Sequence, residues 1–416
     1  MIAKTVALID WNSGGHHNYH FASYSSAFVS LGCRLIKLAP DQLKCFCNVW
    51  SVAQNRRTKS VCGQISDSYH VDPPPAYRDW LPGRLRPIAQ AMEHFGGIAR
   101  KLRHWERVFE SEIDLVFFSC VYDWEFAYFR SSQCLFPYRW AGMYNNSRPV
   151  RMPGAVIPGL NIPPCPERIF SAKRLISVTV PDEGIVVGME QFTKGRPVVA
   201  VPEMTDSVLP SEESDDWEIA IQLLARAEHR PIIVLTGRLH PDTGIIELAE
   251  VIHRVQTDHA LFFIGGNVHW PEGQQADKKR PFEILRAAQN VVLHERAIPE
   301  HALNAIFSVS DLVLAPRLEF VGSSNILTKA AAFHKPVIVC DRYSMAERTR
   351  RHGLGVVLPS VNSEELIKDL GDVLSRCQTK EDIARLAPSP DWDGYLKAHS
   401  QERLVEALGE VLSALG

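Results

Sequence analysis

A short turn rich in glycine and serine is the clearest candidate for chemistry in this sequence. Gly322, Ser323, Ser324 and Asn325 lie between two apolar segments of strand length and open a stretch with helical composition. Small hydroxyl residues before an apolar helical turn are typical helix caps. The backbone N–H groups and the positive dipole end at such a position attract anions, for example a diphosphate. An ordinary capped strand-to-helix turn is the alternative, since every α/β fold contains such turns.

Two histidines follow the first strand-like segment of the chain. This segment, 5–10, leads into Gly14, Gly15, His16 and His17. The glycine pair permits a tight turn that comes close to a ligand, although it lacks the GxGxxG pattern of a dinucleotide site. Open α/β sheets bind ligands at the carboxyl ends of their strands, where a histidine can act as a general base or contact an acceptor. Solvated loop histidines are the alternative.

A carboxylate occupies a comparable position further along the chain. Asp123 follows the buried strand predicted at 114–119, so we expect it to line the same edge of the sheet as the histidines. It is a second candidate general base. A structural role as a helix cap explains it equally well.

Three loops in the second half also follow predicted strands. They contain Arg238, the pair Gly265 and Gly266, and Arg296. An arginine beside a glycine can bind a phosphate through two parallel hydrogen bonds. Arg296 lies where a loop could meet a nucleobase. Because these loops should gather at one sheet edge, they predict a site for a nucleotide-carrying donor.

The elements that position these residues alternate between strand and helix. Strict alternation in the second half predicts a parallel, doubly wound sheet. Its strands are predicted at 232–235, 261–264, 291–293, 312–315, 337–340 and 356–358. The first half predicts a βαβ unit over 5–38, further strands at 114–119, 174–180 and 198–201, and a less distinct strand at 148–153.

The length of 416 residues predicts two α/β domains. We expect an N-terminal domain over 1–205, an acidic linker and leading helix over 206–230, a C-terminal domain over 231–390, and a terminal helix over 391–416. Within the first domain, 41–83 shows few periodic apolar positions and predicts irregular structure over a binding cleft.

Composition excludes several classes of function. A net charge of −3 gives no overall attraction to nucleic acid. The nine cysteines form no CxxC pair, and no His/Asp cluster has metal-ligand spacing, so neither a metal nor a cofactor is expected. No apolar run reaches the roughly 18 residues that span a bilayer, and the start lacks signal-peptide features. We therefore expect a cytoplasmic protein.

One predicted helix, 84–110, carries apolar residues at helical spacing and a basic second half with Arg100, Arg103 and Arg107. Such a helix can lie against an anionic membrane as a peripheral contact. The alternative, which the spacing favours, is that the apolar stripe packs on the sheet and the charges face solvent.

Sequence motifs extend these inferences through a family resemblance. TGRLHPDTGIIELAEVI (236–252), LFFIGG (261–266) and the stretch from 290 to 339 resemble the donor domain of retaining, family-4-type (group 1) glycosyltransferases. The turn at Gly14 and Gly15 resembles the acceptor-domain glycine loop of that family. The resemblance implies a GT-B fold, with two Rossmann-like domains facing a central cleft. It also implies a nucleotide-sugar donor, a glycan, lipid-linked or other acceptor, no metal, and a role such as polysaccharide biosynthesis.

The sequence departs from the family pattern at several charged positions. Thr243 stands where the family has a lysine that holds the donor diphosphate, and Val321 and Lys329 stand where it has paired glutamates. Glu319 lies two positions from the first of these. Lys329 is therefore either a phosphate contact or a solvated helix residue. Two rivals to a transferase follow: an inactive GT-B-like protein that binds a glycan or a partner, and a sugar-nucleotide epimerase.

Overall fold

The computed structural model of the protein describes residues 3–11, 17–39, 61–64, 86–157, 163–255, 257–270 and 275–416. The chain divides into two compact units. Unit 1 comprises Met1–Pro202 and Ser400–Gly416, and unit 2 comprises Glu203–His399.

Unit 1 is built on a seven-stranded sheet in which every neighbouring pair is parallel. The strand order is β3-β2-β1-β4-β5-β6-β7. The first six strands thus have the arrangement of a doubly wound sheet, which reverses direction between β1 and β4. The strands are β1 (Thr5–Ile9), β2 (Arg34–Ala39), β3 (Val61–Gln64), β4 (Leu115–Val121), β5 (Trp140–Tyr144), β6 (Leu175–Val180) and β7 (Val198–Ala200).

The helices of unit 1 include one long helix between β3 and β4. It is α2 (Arg86–Phe109), and the others described are α1 (His17–Ser30), α3 (Asp123–Phe126), α4 (Arg148–Arg151), α5 (Pro166–Phe170) and α6 (Val186–Thr193). One face of α2 is buried and includes Phe95 and Leu102, while Arg100, Arg103 and Arg107 are exposed. The apolar stripe of this helix therefore packs into the protein, as the residue spacing favours.

An aromatic cluster forms the centre of the core under α2. The side chains of Phe95, Phe118, Phe126, Phe129 and Trp140 are fully buried. The rings of Phe95 and Phe129 lie 4.4 Å apart, and those of Phe129 and Trp140 lie 5.0 Å apart and perpendicular. Tilted and edge-to-face contacts of this kind are favourable for aromatic rings.

The last helix of the chain belongs to unit 1. The C-terminal segment forms α15 (Trp392–Ala398) in unit 2 and α16 (Gln401–Ser413) in unit 1, so the prediction of one terminal helix over 391–416 is wrong. Ser400 separates the two helices because its side chain caps α16 by accepting a hydrogen bond from the Arg403 N–H. The buried face of α16 packs against α1, β6 and β7.

Unit 2 repeats the same architecture with six parallel strands in the order β10-β9-β8-β11-β12-β13. The prediction of two doubly wound parallel sheets is confirmed. The strands are β8 (Ile232–Thr236), β9 (Leu261–Gly265), β10 (Val291–His294), β11 (Leu312–Ala315), β12 (Val337–Cys340) and β13 (Gly355–Leu358).

Helices cover both faces of this second sheet, with apolar clusters on either side. They are α7 (Glu218–Ala227), α8 (Ile245–Arg254), α9 (Gln275–Ala287), α10 (Glu300–Val309), α11 (Asn325–Ala332), α12 (Tyr343–His352), α13 (Ser363–Leu374) and α14 (Lys380–Ala384), followed by α15. Among the helices in the described ranges, none is long and apolar enough to cross a membrane.

Three predictions in the first half are wrong. Residues 61–64, inside the segment 41–83 that is predicted to be irregular, form strand β3, which pairs with β2. The segment 148–153 contains a short helix, α4, rather than a strand, because Pro149 has the backbone angle of a first helical turn and Asn146 Oδ1 accepts a hydrogen bond from the Arg148 N–H. The strand β5 is missing from the prediction. Gly142 lies where β5 comes close to β4, because a Cβ there would lie 2.7 Å from Val121 Cγ2 and 2.8 Å from the Phe118 carbonyl oxygen.

We predict that Leu408→Ala lowers the free energy of unfolding by about 2–5 kcal/mol, since Leu408 is fully buried where α16 packs on unit 1. Urea denaturation measures this loss, and hydrogen exchange should rise in peptides of α1. The matched control is Leu224→Ala on the exposed face of α7, where 49% of the residue is accessible. That change should cost no more than about 0.5 kcal/mol. Equal effects of the two substitutions would contradict the prediction.

Candidate functional site

The candidate site of unit 2 lies at the point where its sheet changes direction. Strands β8 and β11 are neighbours at the centre of the sheet, and the chain winds away from them towards opposite edges. In doubly wound sheets ligands bind in the crevice outside the carboxyl ends of the strands at this point. The loops that leave β8 and β11 are therefore the expected place for a bound ligand.

Three loops at this edge are in direct contact. Gly244, with φ +80°, ends the loop after β8, and a Cβ there would lie 2.7 Å from the Pro316 carbonyl oxygen in the loop after β11. Gly266, with φ +149°, follows β9, and a Cβ there would lie 1.5 Å from the Gly237 carbonyl oxygen. Backbone therefore packs on backbone where no side chain would fit. The loops carrying Arg238 and Gly322 are held together by these contacts.

Side chains of α12 and the residue before it fix the loop after β11. The Ser344 hydroxyl donates to the Gly322 carbonyl oxygen (3.2 Å), and Arg348 Nη1 donates to Ser323 Oγ (2.6 Å). Arg342 Nε donates to the Leu318 carbonyl oxygen (3.1 Å). Ser344 and Arg348 are buried. These hydrogen bonds hold the turn in one conformation, as a preorganised binding loop requires.

The turn leads into α11 without a side-chain cap. Ser324 occupies the N-cap position with extended backbone angles (φ −134°, ψ 123°), but its hydroxyl makes no capping hydrogen bond. Ser323 is engaged by Arg348 instead. The predicted serine cap is therefore wrong. Because the first N–H groups of a helix have no partner within the helix, the start of α11 at Asn325 retains hydrogen-bonding capacity for an anion.

Arg238, in the loop after β8, is half-exposed and pairs with a carboxylate of its own loop. Its Nη2 lies 3.1 Å from Asp242 Oδ2. The other oxygen, Asp242 Oδ1, is buried without a hydrogen-bond partner and lies 2.6 Å from His240 Nδ1. The same Nδ1 accepts a hydrogen bond from the Asp242 N–H (3.1 Å), which ties the imidazole to the backbone of this loop. Asp242 thus faces two nitrogen-bearing side chains from within a single short loop.

Sequence reasoning missed Arg317, which follows β11 directly. Its guanidinium lies over the Phe320 ring at 4.5 Å from the centroid. Burial lowers the pKa of Arg317, the nearby Asp242 carboxylate raises it, and Arg238 lowers it. Among the described residues, no hydrogen bond or ion pair reaches this guanidinium. The sequence signal that could have identified Arg317 is its position after a central strand, one residue beyond Pro316.

Lys329 is buried and lies on the inner face of α11. Its Nζ donates to the Asp206 carbonyl oxygen (2.7 Å), to Glu300 Oε1 (2.7 Å) and to Asn304 Oδ1. Burial lowers the pKa of Lys329, and the Glu300 carboxylate opposes that shift. The alternative of a solvated helix residue is wrong, because only 1% of the side chain is accessible. All three N–H donors of the ammonium group point to protein acceptors in this structure, and none is left for a phosphate.

The other residues that depart from the family pattern are Thr243 and Val321, and neither supplies a charged side chain to the site. Thr243 is buried, and its hydroxyl donates to the His240 carbonyl oxygen (2.6 Å). Val321 is buried, whereas Glu319 is exposed. Arg296 lies after β10 and is exposed. The structure thus brings the loop of Arg238 against Gly266, and Gly244 of the same loop against Pro316, which precedes the turn at 322–325. Arg238 and Arg296 are both exposed.

In unit 1 the corresponding edge is only partly described. Gly14, Gly15 and His16 lie outside the described residues, as do most of 41–83, and His17 begins α1 with a side chain that is not described. Of the site residues predicted at this edge, the one whose side chain is described is Asp123, after β4.

Asp123 is buried and fully engaged in hydrogen bonds. It accepts from the Tyr144 hydroxyl (3.0 Å to each oxygen), from Asn146 Nδ2 (2.7 Å) and from the Cys165 N–H (2.7 Å). Burial raises the pKa of the Tyr144 hydroxyl well above its usual value, and Asp123 adds to the rise. Asp123 is the first residue of α3 rather than its cap, so the helix-cap alternative is wrong. The carboxylate holds β5 and the loop before α5 together, which points to a positioning role.

Comparisons with known proteins agree with this architecture. Residues 230–376 match the family described as "Glycosyl transferases group 1". No curated protein matches the chain.

Solved structures show the same fold along the whole chain. Sucrose-phosphate synthase from Thermosynechococcus elongatus superposes with a TM-score of 0.67 at 13% identity, covering 99% of each chain. Anabaena Alr3699/HepE in complex with UDP and glucose gives 0.66 at 13% identity, covering 99% of this chain and 100% of the other. A trehalose-6-phosphate protein from E. coli bound with UDP-2-fluoro glucose gives 0.66 at 10% identity, covering 98% and 99%. The GT-B fold and the resemblance to group 1 glycosyltransferases are therefore confirmed.

We predict that Lys329→Met destabilises the protein by about 2–4 kcal/mol, because buried acceptors at Asp206 and Asn304 lose their donor. Urea denaturation measures the change. The matched control is Lys368→Met, whose side chain is 75% accessible and should cost no more than about 0.5 kcal/mol. A stable Lys329→Met protein with weakened nucleotide binding would instead favour the phosphate-contact alternative.

Proposed function

Because residues 230–376 match the group 1 glycosyltransferases and the chain has the GT-B fold, we propose that this protein is a retaining hexosyltransferase. It moves a sugar from a nucleotide-sugar donor to a glycan, lipid-linked or other acceptor, in a pathway such as polysaccharide biosynthesis. The observation that carries the proposal is the uncapped start of α11, at the carboxyl edge of the sheet where it changes direction.

In this reaction the donor leaves as a nucleoside diphosphate, so negative charge develops on the phosphate oxygens. Positively charged groups and backbone N–H donors that are already in place stabilise that charge without reorganising. Arg238 and the backbone from Ser323 to Asn325 would bind the diphosphate. Gly244, packed against Pro316, supports this assignment, because the two loops that carry these groups touch. No metal is required in this scheme, and the nucleotide sugar is a substrate rather than a cofactor.

Other groups at the two edges have supporting roles in the proposal. Because Gly265 and Gly266 have no side chains, the loop after β9 can approach the loop of Arg238, and the space that side chains would fill is left for the nucleoside. Arg296 would contact the base from the surface. His16 and His17 would position the acceptor hydroxyl with the turn at Gly14 and Gly15. Asp123, bound by three neighbours, would keep the acceptor-side edge in shape.

A binding protein without catalytic activity is the second candidate. The specific observation in its favour is that Val321 and Lys329 are both buried inside unit 2, where the resembling family presents glutamates. Such a protein would retain the fold and bind a glycan or a partner. The two candidates differ in whether they bind a nucleotide sugar and release its sugar.

The exposed arginines of α2 support a peripheral contact with an anionic membrane. Arg100, Arg103 and Arg107 line a groove of about 1040 Å³ together with Arg139 and Arg174. Four acidic residues line the same groove, so its basic residues exceed its acidic ones by one: Glu106, Glu110, Glu112 and Asp114. Clusters of arginine are attracted to anionic lipid head groups. The proposed location is the cytoplasm, with reversible contact at the inner face of the membrane.

We predict that the protein binds UDP or GDP and the matching nucleotide sugar, and that Arg238→Ala weakens this binding about tenfold, the effect of losing one charge-assisted hydrogen bond. Isothermal titration calorimetry measures the affinities, and a sugar-release assay measures slow donor hydrolysis. The matched control is Arg254→Ala, another exposed arginine paired with an acidic residue four positions away.

The outcomes separate the two candidates. Nucleotide binding with donor hydrolysis supports the transferase. Nucleotide binding without hydrolysis or transfer favours the inactive protein, and no binding at millimolar concentration would overturn the transferase proposal.

We predict that the full-length protein floats with phosphatidylglycerol vesicles but not with phosphatidylcholine vesicles. Replacing Arg100, Arg103 and Arg107 together with alanine should abolish flotation, because each basic side chain near the surface contributes about 1 kcal/mol. Arg254→Ala serves as the control for a lost surface arginine on unit 2. Equal flotation of the triple variant would contradict the proposed contact.

A further inference from the structure

Arg317 is a cation at the carboxyl edge of unit 2 for which the described residues provide no hydrogen-bond acceptor, as is Arg296 after β10. Arg317 lies directly after the central strand β11, and its backbone is fixed by a hydrogen bond from its N–H to the Ala315 carbonyl oxygen (2.9 Å). The Phe320 ring supports one face of the guanidinium. A planar guanidinium held flat on an aromatic ring still presents its N–H groups at the edge.

The location of this guanidinium follows from the packing of the two loops. Arg317 is the neighbour of Pro316, and a Cβ on Gly244 of the loop after β8 would lie 2.7 Å from the Pro316 carbonyl oxygen. Burial lowers the pKa of Arg317, with smaller and opposite effects of Asp242 and Arg238. Packing of Gly244 on Pro316 brings the same two loops into contact. Arg317 and Arg238 therefore belong to one cluster, with the carboxylate of Asp242 among them.

The charges of this cluster are unbalanced. The cluster has one carboxylate, Asp242, whose Oδ2 pairs with Arg238 while Oδ1 is buried with no hydrogen-bond partner, and no ion pair joins it to Arg317. Arginine in a partly buried position is normally paired with an anion because desolvating a charge is costly. The cluster has the composition of an anion site whose internal carboxylate neutralises only part of the positive charge.

We infer that Arg317 is a second guanidinium anchor for the diphosphate of the donor, and that Asp242 is the internal counter-ion from which the arriving diphosphate takes Arg238. This inference rests on the proposed function and adds two residues to it. A diphosphate offers more acceptor oxygens than one carboxylate, so it can accept from both arginines at once. No covalent step is involved.

The two residues predict opposite effects on affinity. Arg317→Ala removes an anchor and should weaken the binding of pyrophosphate, UDP and GDP about tenfold or more. Arg317→Lys keeps the charge but loses the planar pair of donors, so its affinity should fall between those of wild type and Arg317→Ala. Asp242→Asn removes the competing negative charge and should tighten pyrophosphate binding about fivefold.

The experiment is a calorimetric titration of the full chain with pyrophosphate, UDP and GDP at two salt concentrations. Arg254→Ala is the control, because it removes an exposed arginine that is paired with Glu250 outside this cluster. Urea denaturation establishes that each variant is folded. The gain expected for Asp242→Asn is decisive if Arg317→Ala fails to fold, since misfolding cannot tighten binding.

The outcomes separate this inference from the proposed function. If wild type binds UDP or GDP and Arg317→Ala binds equally well, the role of Arg317 is overturned while the transferase proposal stands. If Asp242→Asn binds more weakly than wild type, its role as a displaced counter-ion is overturned. Pyrophosphate binding that depends on Arg317, without any nucleotide binding, supports the anion site and overturns the proposed function.

Discussion

The position of helix α11 depends on one buried ammonium group. Lys329 binds the Asp206 carbonyl oxygen, Glu300 and Asn304, which ties the helix to α10 and to the chain that enters unit 2. Beside it, Thr328 Oγ1 donates to the Glu203 carbonyl oxygen and contacts the Tyr395 hydroxyl. Burying a charge is costly unless every donor finds an acceptor. Because all three donors of Lys329 do, α11 and the turn before it are fixed from the inner side.

The cations of unit 2 therefore divide into two groups with different tasks. Lys329 and Arg348 are buried and bind protein acceptors, so they set the position of the turn and the helix. Arg238 and Arg317 lie in the loops, where Asp242 pairs with Arg238 and makes no ion pair with Arg317. A rigid anion site needs buried cations that hold its loop in position. It also needs cations in the loop itself whose charge the protein does not fully neutralise. This division also explains why a lysine in α11 does not imply a phosphate contact.

The sequence predicts unit 2 well because its strands are buried on both faces. Continuous apolar segments such as 312–315 and 337–340 give an unambiguous signal, and the loops that follow them locate the site edge. Unit 1 is harder, because β5 contains Gly142 and a proline directs the segment at 148 into a helix. Side-chain roles were the least predictable. The partners of Lys329 and Asp123 come from distant parts of the chain, so their burial cannot be inferred from neighbouring residues, whereas Arg317 had a positional signal that was overlooked.

The placement of α16 in unit 1 has a consequence for how the protein is made. A nascent chain emerges from the ribosome with its N-terminal end first. Unit 2 is continuous from Glu203 to His399 and can complete its sheet before Ser400 is synthesised. Unit 1 begins earlier but lacks the helix that covers α1, β6 and β7. Its apolar surface there remains open through the synthesis of nearly two hundred further residues, from Glu203 to His399. The half that is made first is thus the last to be finished, and it is the half for which a chaperone has the longest opportunity to bind.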